Sequence, residues 1–105
     1  MTSLGRMILG SAIIRRVKVS WTGHARKKLM VLRGHGVDAT EQRVEEVLAT
    51  PARIVSGHGG RRVAEGDLDS LHVMRVVYEE WPDERRIVTM YPARKGRYAK
   101  DHVQR

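Results

Sequence analysis

His24 follows Thr22, a predicted helix cap, and so stands at the start of a helix. Unpaired backbone amides and the helix dipole favour anions at such a place. An imidazole there can meet a phosphate and move protons near neutral pH; an exposed helix-start histidine with no role fits the position equally well. Arg33 comes nine residues later. That is about two and a half turns, so the two side chains point to roughly opposite sides of the helix. They share a site only if the helix ends at Arg33 or bends around it, and Arg33 also suits a plain C-terminal charge facing the dipole. Arg75 interrupts an apolar strand between Met74 and Val76-Val77. A cation in that setting needs an anion, which Glu65, Glu79 or a phosphate would supply. Thr89 and Tyr91 lie two apart on a predicted strand and share a face, with apolar Val88 and Met90 opposite.

Several chemistries are missing. There is no phosphate-binding glycine loop, no Gly-x-Gly-x-x-Gly and no His-Glu-x-x-His. His24, His35, His58, His72 and His102 show no metal-ligand spacing, so neither a metal site nor a cofactor is expected. His58, inside a glycine loop, reads as a turn residue. The absence of Cys excludes disulfides and thiolate metal sites.

The elements that must carry these residues come from hydrophobic spacing. Ile13 to Trp21 alternates in part and predicts a first strand. Ala25, Leu29 and Leu32 mark the buried stripe of a helix from Gly23 to about Arg33, ended by Gly34 and Gly36. Asp38-Ala39-Thr40-Glu41 reads as a capping box for a second helix with Val44, Val47 and Leu48 inward, stopped at Thr50-Pro51. Strands then follow at Arg53–Val55, Arg61–Glu65, Leu71–Glu80 and Arg86–Tyr91. The turns between them are Ser56–Gly60, Gly66–Asp69 and Trp81-Pro82-Asp83-Glu84, and Pro92 ends the last strand. The order β-α-α-β-β-β-β predicts an α+β fold, with two helices packed on one face of a mainly antiparallel four- or five-stranded sheet. With no Phe in the chain, Trp21, Tyr78, Trp81 and Tyr91 are the large pieces expected in the core.

At 105 residues the chain is one domain's worth. Residues 1–12 are expected as a flexible leader, 13–92 as the domain and 93–105 as a basic tail. The apolar run Met7 to Ile14 is too short to span a bilayer and is followed, not preceded, by paired arginines. A cytoplasmic protein is the expectation. Twenty Lys and Arg against twelve Asp and Glu give a net charge of +8. Such a field captures polyanions, and the arginine excess suits forked contacts with phosphate oxygens. Composition alone does not separate RNA from DNA or anionic lipid.

Trp21-Thr22-Gly23-His24-Ala25, Met30, Arg33-Gly34, the helix ending at Thr50-Pro51, and Ile87-Val88-Thr89-Met90-Tyr91-Pro92 together resemble a widespread bacterial domain family of unknown function. That family is grouped with the RelE/ParE-like toxins and the barnase–EndoU–colicin–RelE set of ribonucleases. The resemblance covers roughly residues 17 to 92. It implies a RelE-like fold and metal-independent RNA cleavage, or descent from such enzymes. It implies catalytic roles for His24, Arg33, Thr89 and Tyr91, and phosphate-binding roles for strand arginines, here Arg62 and Arg75. Lys27 and Lys95 are further expected RNA contacts. On this reading His24 moves the proton of a ribose 2′-hydroxyl or of the leaving 5′-oxygen, the arginines hold the phosphate, and Thr89 and Tyr91 orient it. The alternatives are a non-catalytic RNA-binding module and a surface that docks an acidic antitoxin protein.

Overall fold

A computed structural model describes residues 17–96 of the chain. The expected leader, the first residues of the strand predicted from Ile13, and most of the expected tail lie outside the described residues. The elements are β1 (Lys18–Trp21), α1 (Gly23–Gly34), α2 (Glu41–Ala49), β2 (Arg53–Ser56), β3 (Arg62–Asp67), β4 (His72–Trp81) and β5 (Glu84–Arg94), with a short 3-10 turn at His58–Gly60. This is the expected α+β order. The five strands form one sheet in the order β1-β5-β4-β3-β2. Every neighbouring pair is antiparallel except β1 with β5. Among the described residues no helix is long and apolar enough to cross a membrane.

Thr22 begins α1 as expected. Its hydroxyl oxygen accepts the Ala25 N–H at 3.0 Å and its hydroxyl donates to the Ile87 carbonyl at 3.1 Å, so one side chain caps the helix and ties it to β5. Ala25, Leu29 and Leu32 of α1 and Val44, Val47 and Leu48 of α2 are buried in one cluster with Met74, Val76, Tyr78, Ile87 and Met90 of the sheet. Both helices therefore cover the same sheet face.

Local departures from the sequence reading have local causes. The second helix is capped by Thr40, which accepts the Arg43 N–H at 3.0 Å, and not by Asp38. Ala39 is buried in the core, so the chain enters extended and turns helical only after Thr40. β3 runs through Gly66, the expected turn residue, to Asp67. The absent side chain admits α2: a Cβ at Gly66 would sit 2.9 Å from Val47 Cγ2. β5 runs through Pro92 to Arg94. Because β1 pairs only with Glu84–Ile87, the rest of β5 has no strand beside it on that side among the described residues, a position that tolerates proline. Of the aromatic residues expected in the core, Tyr78 is fully buried and Trp21 packs at the rim. Trp81 is half exposed beside the β4–β5 turn, and Tyr91 lies on the face away from the helices.

A bulge shapes that second face. Tyr78 pairs with Ile87 and Val77 with Thr89, leaving Val88 as the extra residue of β5. Ile87 and Met90 thus both reach the core, while Thr89 and Tyr91 turn to the open side with Val77 and Arg75.

Candidate functional site

The expected site residues fall into three groups. His24, Lys27 and Arg33 are exposed on α1. The helix continues without a bend through Arg33 to Gly34, so His24 and Arg33 are separated by about 13 Å of axial rise and share no phosphate. Thr89, Tyr91 and Arg75 are on the sheet face opposite the helices. Arg62 pairs with core-facing Tyr78, which puts it on the helix side of the sheet, away from Arg75. Its Nε lies 3.2 Å from Glu80. Lys95 is beside Asp67, with Nζ 3.3 Å from Oδ1. His24 makes no side-chain hydrogen bond to Thr89 or Tyr91 among the described residues.

Arg75 meets a carboxylate. Arg53, Glu65, Arg75 and Tyr91 form one cross-strand row over β2, β3, β4 and β5. Glu65 accepts from Arg53 Nε at 2.9 Å and from Arg75 Nη1, and Arg75 Nε donates to the Tyr91 hydroxyl at 3.0 Å. Glu65 and Arg75 are both buried. The row closes the place where a strand arginine was expected to hold RNA phosphate, and Tyr91 serves that arginine.

Pairing sorts the remaining cations. Arg26, Arg53, Arg61, Arg62, Arg85, Arg86 and Lys95 each lie within salt-bridge reach of a carboxylate. Lys27, Lys28 and Arg33 have no such partner among the described residues, and α1 contains no acidic residue. Its outer face carries Lys27, Met30, Val31 and Gly34 at helical spacing, opposite Ala25, Leu29 and Leu32. Met30 is 71% exposed.

A second constellation was invisible to metal-ligand spacing. The loop after α1 and the β3–β4 turn enclose a cleft of about 290 Å³, lined by His35, Val37, Asp38, Leu68, Asp69 and His72. Asp69 Oδ1 accepts the backbone N–H groups of Leu71 and His72, at 2.9 and 2.8 Å, and lies 2.9 Å from His72 Nδ1. The imidazole hydrogen bond, then the Leu71 amide, hold the Asp69 carboxyl below its ordinary range. A carboxylate accepts, so Nδ1 carries the proton and Nε2 of a neutral His72 is left with its lone pair. Arg94 is directly across the ladder from His72 and has no carboxylate partner among the described residues. His35, the C-terminal cap of α1, uses its backbone N–H on the helix and makes no side-chain hydrogen bond among the described residues. The sequence signal for this pair is Asp-x-x-His across a tight turn. Among the described residues no group of three His, Cys, Asp or Glu side chains could hold a metal ion.

No family model, curated protein or solved structure matches this chain.

Proposed function

We propose that this protein binds RNA through the exposed surface of α1, its outer face and both flanks, in the cytoplasm. The observation that carries the reading is an acid-free helix whose Lys27, Lys28 and Arg33 lack carboxylate partners, on a body whose other basic side chains are largely paired. Unpaired surface cations release counterions when they meet phosphates, and that release drives association. The chain adds Arg6, Arg15 and Arg16 at one end and Arg97, Lys100 and Arg105 at the other, against Asp101 alone. Resemblance to RNA-cleaving domains selects RNA among polyanions. His24 and Arg33 stand near opposite ends of α1, about 13 Å apart along its axis, so binding is the reading the geometry favours over one nuclease site that uses both.

A second reading is docking of an acidic protein on the same face, of the antitoxin kind. The exposed Met30 and Val31 between the cations favour it, since apolar side chains in a basic setting suit an acidic amphipathic helix.

Binding of a fluorescent single-stranded RNA, measured over a range of salt concentrations in excess chelator, tests the proposal. Joint replacement of Lys27, Lys28 and Arg33 by Ala should lower the log–log salt slope by about 2. Matching DNA and anionic vesicles serve as comparisons. Equal slopes for the two proteins, or binding to vesicles alone, overturn it.

A further inference from the structure

We infer that the sheet face opposite the helices is a docking surface for the chain's own residues 97–105, laid across it as an amphipathic helix with Tyr98 against Arg75 and Tyr91. The inference stands apart from the RNA-binding reading.

Two ion pairs on this face report a cover. Arg75 and Glu79 alternate with the core residues of β4 and so face away from the helices. Each meets an opposite charge from the neighbouring chain: Glu65 within β3, and Arg61 just before it. The side chains of Arg61 and Glu79 are 42% and 30% exposed, those of Arg75 and Glu65 only 11% and 7%. Neighbours in the plane of the sheet screen the flanks of a side chain, but only a layer above the sheet screens its outer end. An arginine on a bare face keeps its charged head in water. Among the described residues both helices pack on the other side, and no element lies over this one.

The position of the cover selects its source. The buried pair is nearer the end where β5 finishes, with Arg94 opposite His72, and the exposed pair is nearer the β4–β5 turn. Residues before β1 join the sheet at the exposed end, where the Lys18 N–H donates to the Asp83 carbonyl in that turn. Residues after β5 join it at the buried end. Lys95 already reaches toward β3, its Nζ 3.3 Å from Oδ1 of Asp67, which shares a face with Glu65. The backbone turns helical at Lys95 and Gly96.

Residues 97–105 lie outside the described residues, and their sequence suits this surface. At helical spacing Tyr98, Ala99, His102 and Val103 fall on one arc, and Arg97, Lys100, Asp101 and Gln104 on the other. Nine helical residues are about 13 Å long, enough to cover the roughly 10 Å from β5 over β4 to β3. Asp67 stays exposed at the rim, so the cover ends short of it. An anion approaching this side of the sheet then meets Arg97 and Lys100 in place of Arg75 and Tyr91.

The test reads the full chain by NMR. Nuclear Overhauser contacts are expected from the side chains of Tyr98, Ala99 or Val103 to Tyr91, Val77 or Arg75. Tyr98→Ala should lose the protection of the Arg75 Nε proton from hydrogen exchange, and Tyr98→Phe, which keeps the ring, should retain it. If Tyr98→Ala does not fold, the contacts in wild type and Tyr98→Phe decide. A tail with coil-like shifts and no such contact overturns the inference, as does unchanged protection in a folded Tyr98→Ala. Contacts to the same residues from Met7–Ile14 in place of the tail also overturn it. So do contacts found only between differently labelled copies in a mixed sample, since a second molecule is then the cover.

Discussion

The Tyr91 hydroxyl accepts a hydrogen bond from Arg75 Nε at 3.0 Å because the ladder sets the two residues directly opposite each other on β5 and β4. The same register puts Glu65 on the other side of Arg75, so the guanidinium bonds to both of its cross-strand neighbours. Replacing Glu65 by Ala leaves a buried arginine without its main counter-charge. Chemical denaturation should show a loss of about 3–5 kcal/mol. The pair Glu65→Leu with Arg75→Met should recover much of it, because the desolvation of both charges disappears together. A single variant as stable as wild type would remove the row from any account of the fold.

Gly66 tests the seam between α2 and β3. A methyl at this position meets Val47 Cγ2 at 2.9 Å, and Val47 is itself buried. Gly66→Ala should destabilise by about 1–3 kcal/mol, as overpacking does. Val47→Ala in the same chain should relieve the clash, so the double variant is more stable than the sum of the two singles predicts. Thermal unfolding of the four proteins closes that cycle.

Thr22 joins two links that are usually separate. It caps α1 through the Ala25 amide and anchors it through the carbonyls of Ile87 and Val88. Thr22→Ala should cost about 1–2 kcal/mol. Hydrogen exchange should locate the loosening in the first turn of α1, where His24 stands. Thr22→Ser keeps the hydroxyl and should restore most of the protection.

Much of this architecture is legible in the chain. The stripes Ala25/Leu29/Leu32 and Val44/Val47/Leu48 name both helices and their buried sides, and Thr22 names where the first one starts. The strand order follows from turn residues, but strand ends do not. Gly66 and Pro92 are turn and stop signals by composition, and tertiary context uses them otherwise: Val47 needs the empty space at one, and the open side of β5 accepts the other. Site residues were harder to group. The spacing of Thr89 and Tyr91 opposite Met90 gives their shared outward face, while the bulge at Val88, which lets Ile87 reach the core as well, leaves no local mark. The partner of Arg75 was one of two named carboxylates, and only the β3–β4 register chooses Glu65 over Glu79. The Asp69–His72 pair carries little sequence signal because it needs only three residues and a turn, and because His35 comes to its cleft from a distant loop.

That pair makes a direct electrostatic prediction. Asp69 is exposed, and its carboxyl is held low by hydrogen bonds, the one from His72 first and the Leu71 amide next, with burial opposing them. A carboxylate whose acidity is strengthened by the fold contributes stability above its unfolded pKa, and the contribution disappears as pH falls through the folded value. The window therefore lies on the acid side of the ordinary aspartate range, and exposure keeps the effect on unfolding small. Carboxyl carbon shifts followed by NMR are the sensitive measurement. In His72→Ala the imidazole donor is lost, while the backbone amides of positions 71 and 72 remain. The Asp69 midpoint should rise part of the way toward that of an unperturbed aspartate. A midpoint unmoved by the substitution would show that the imidazole does not bond to the carboxylate in solution.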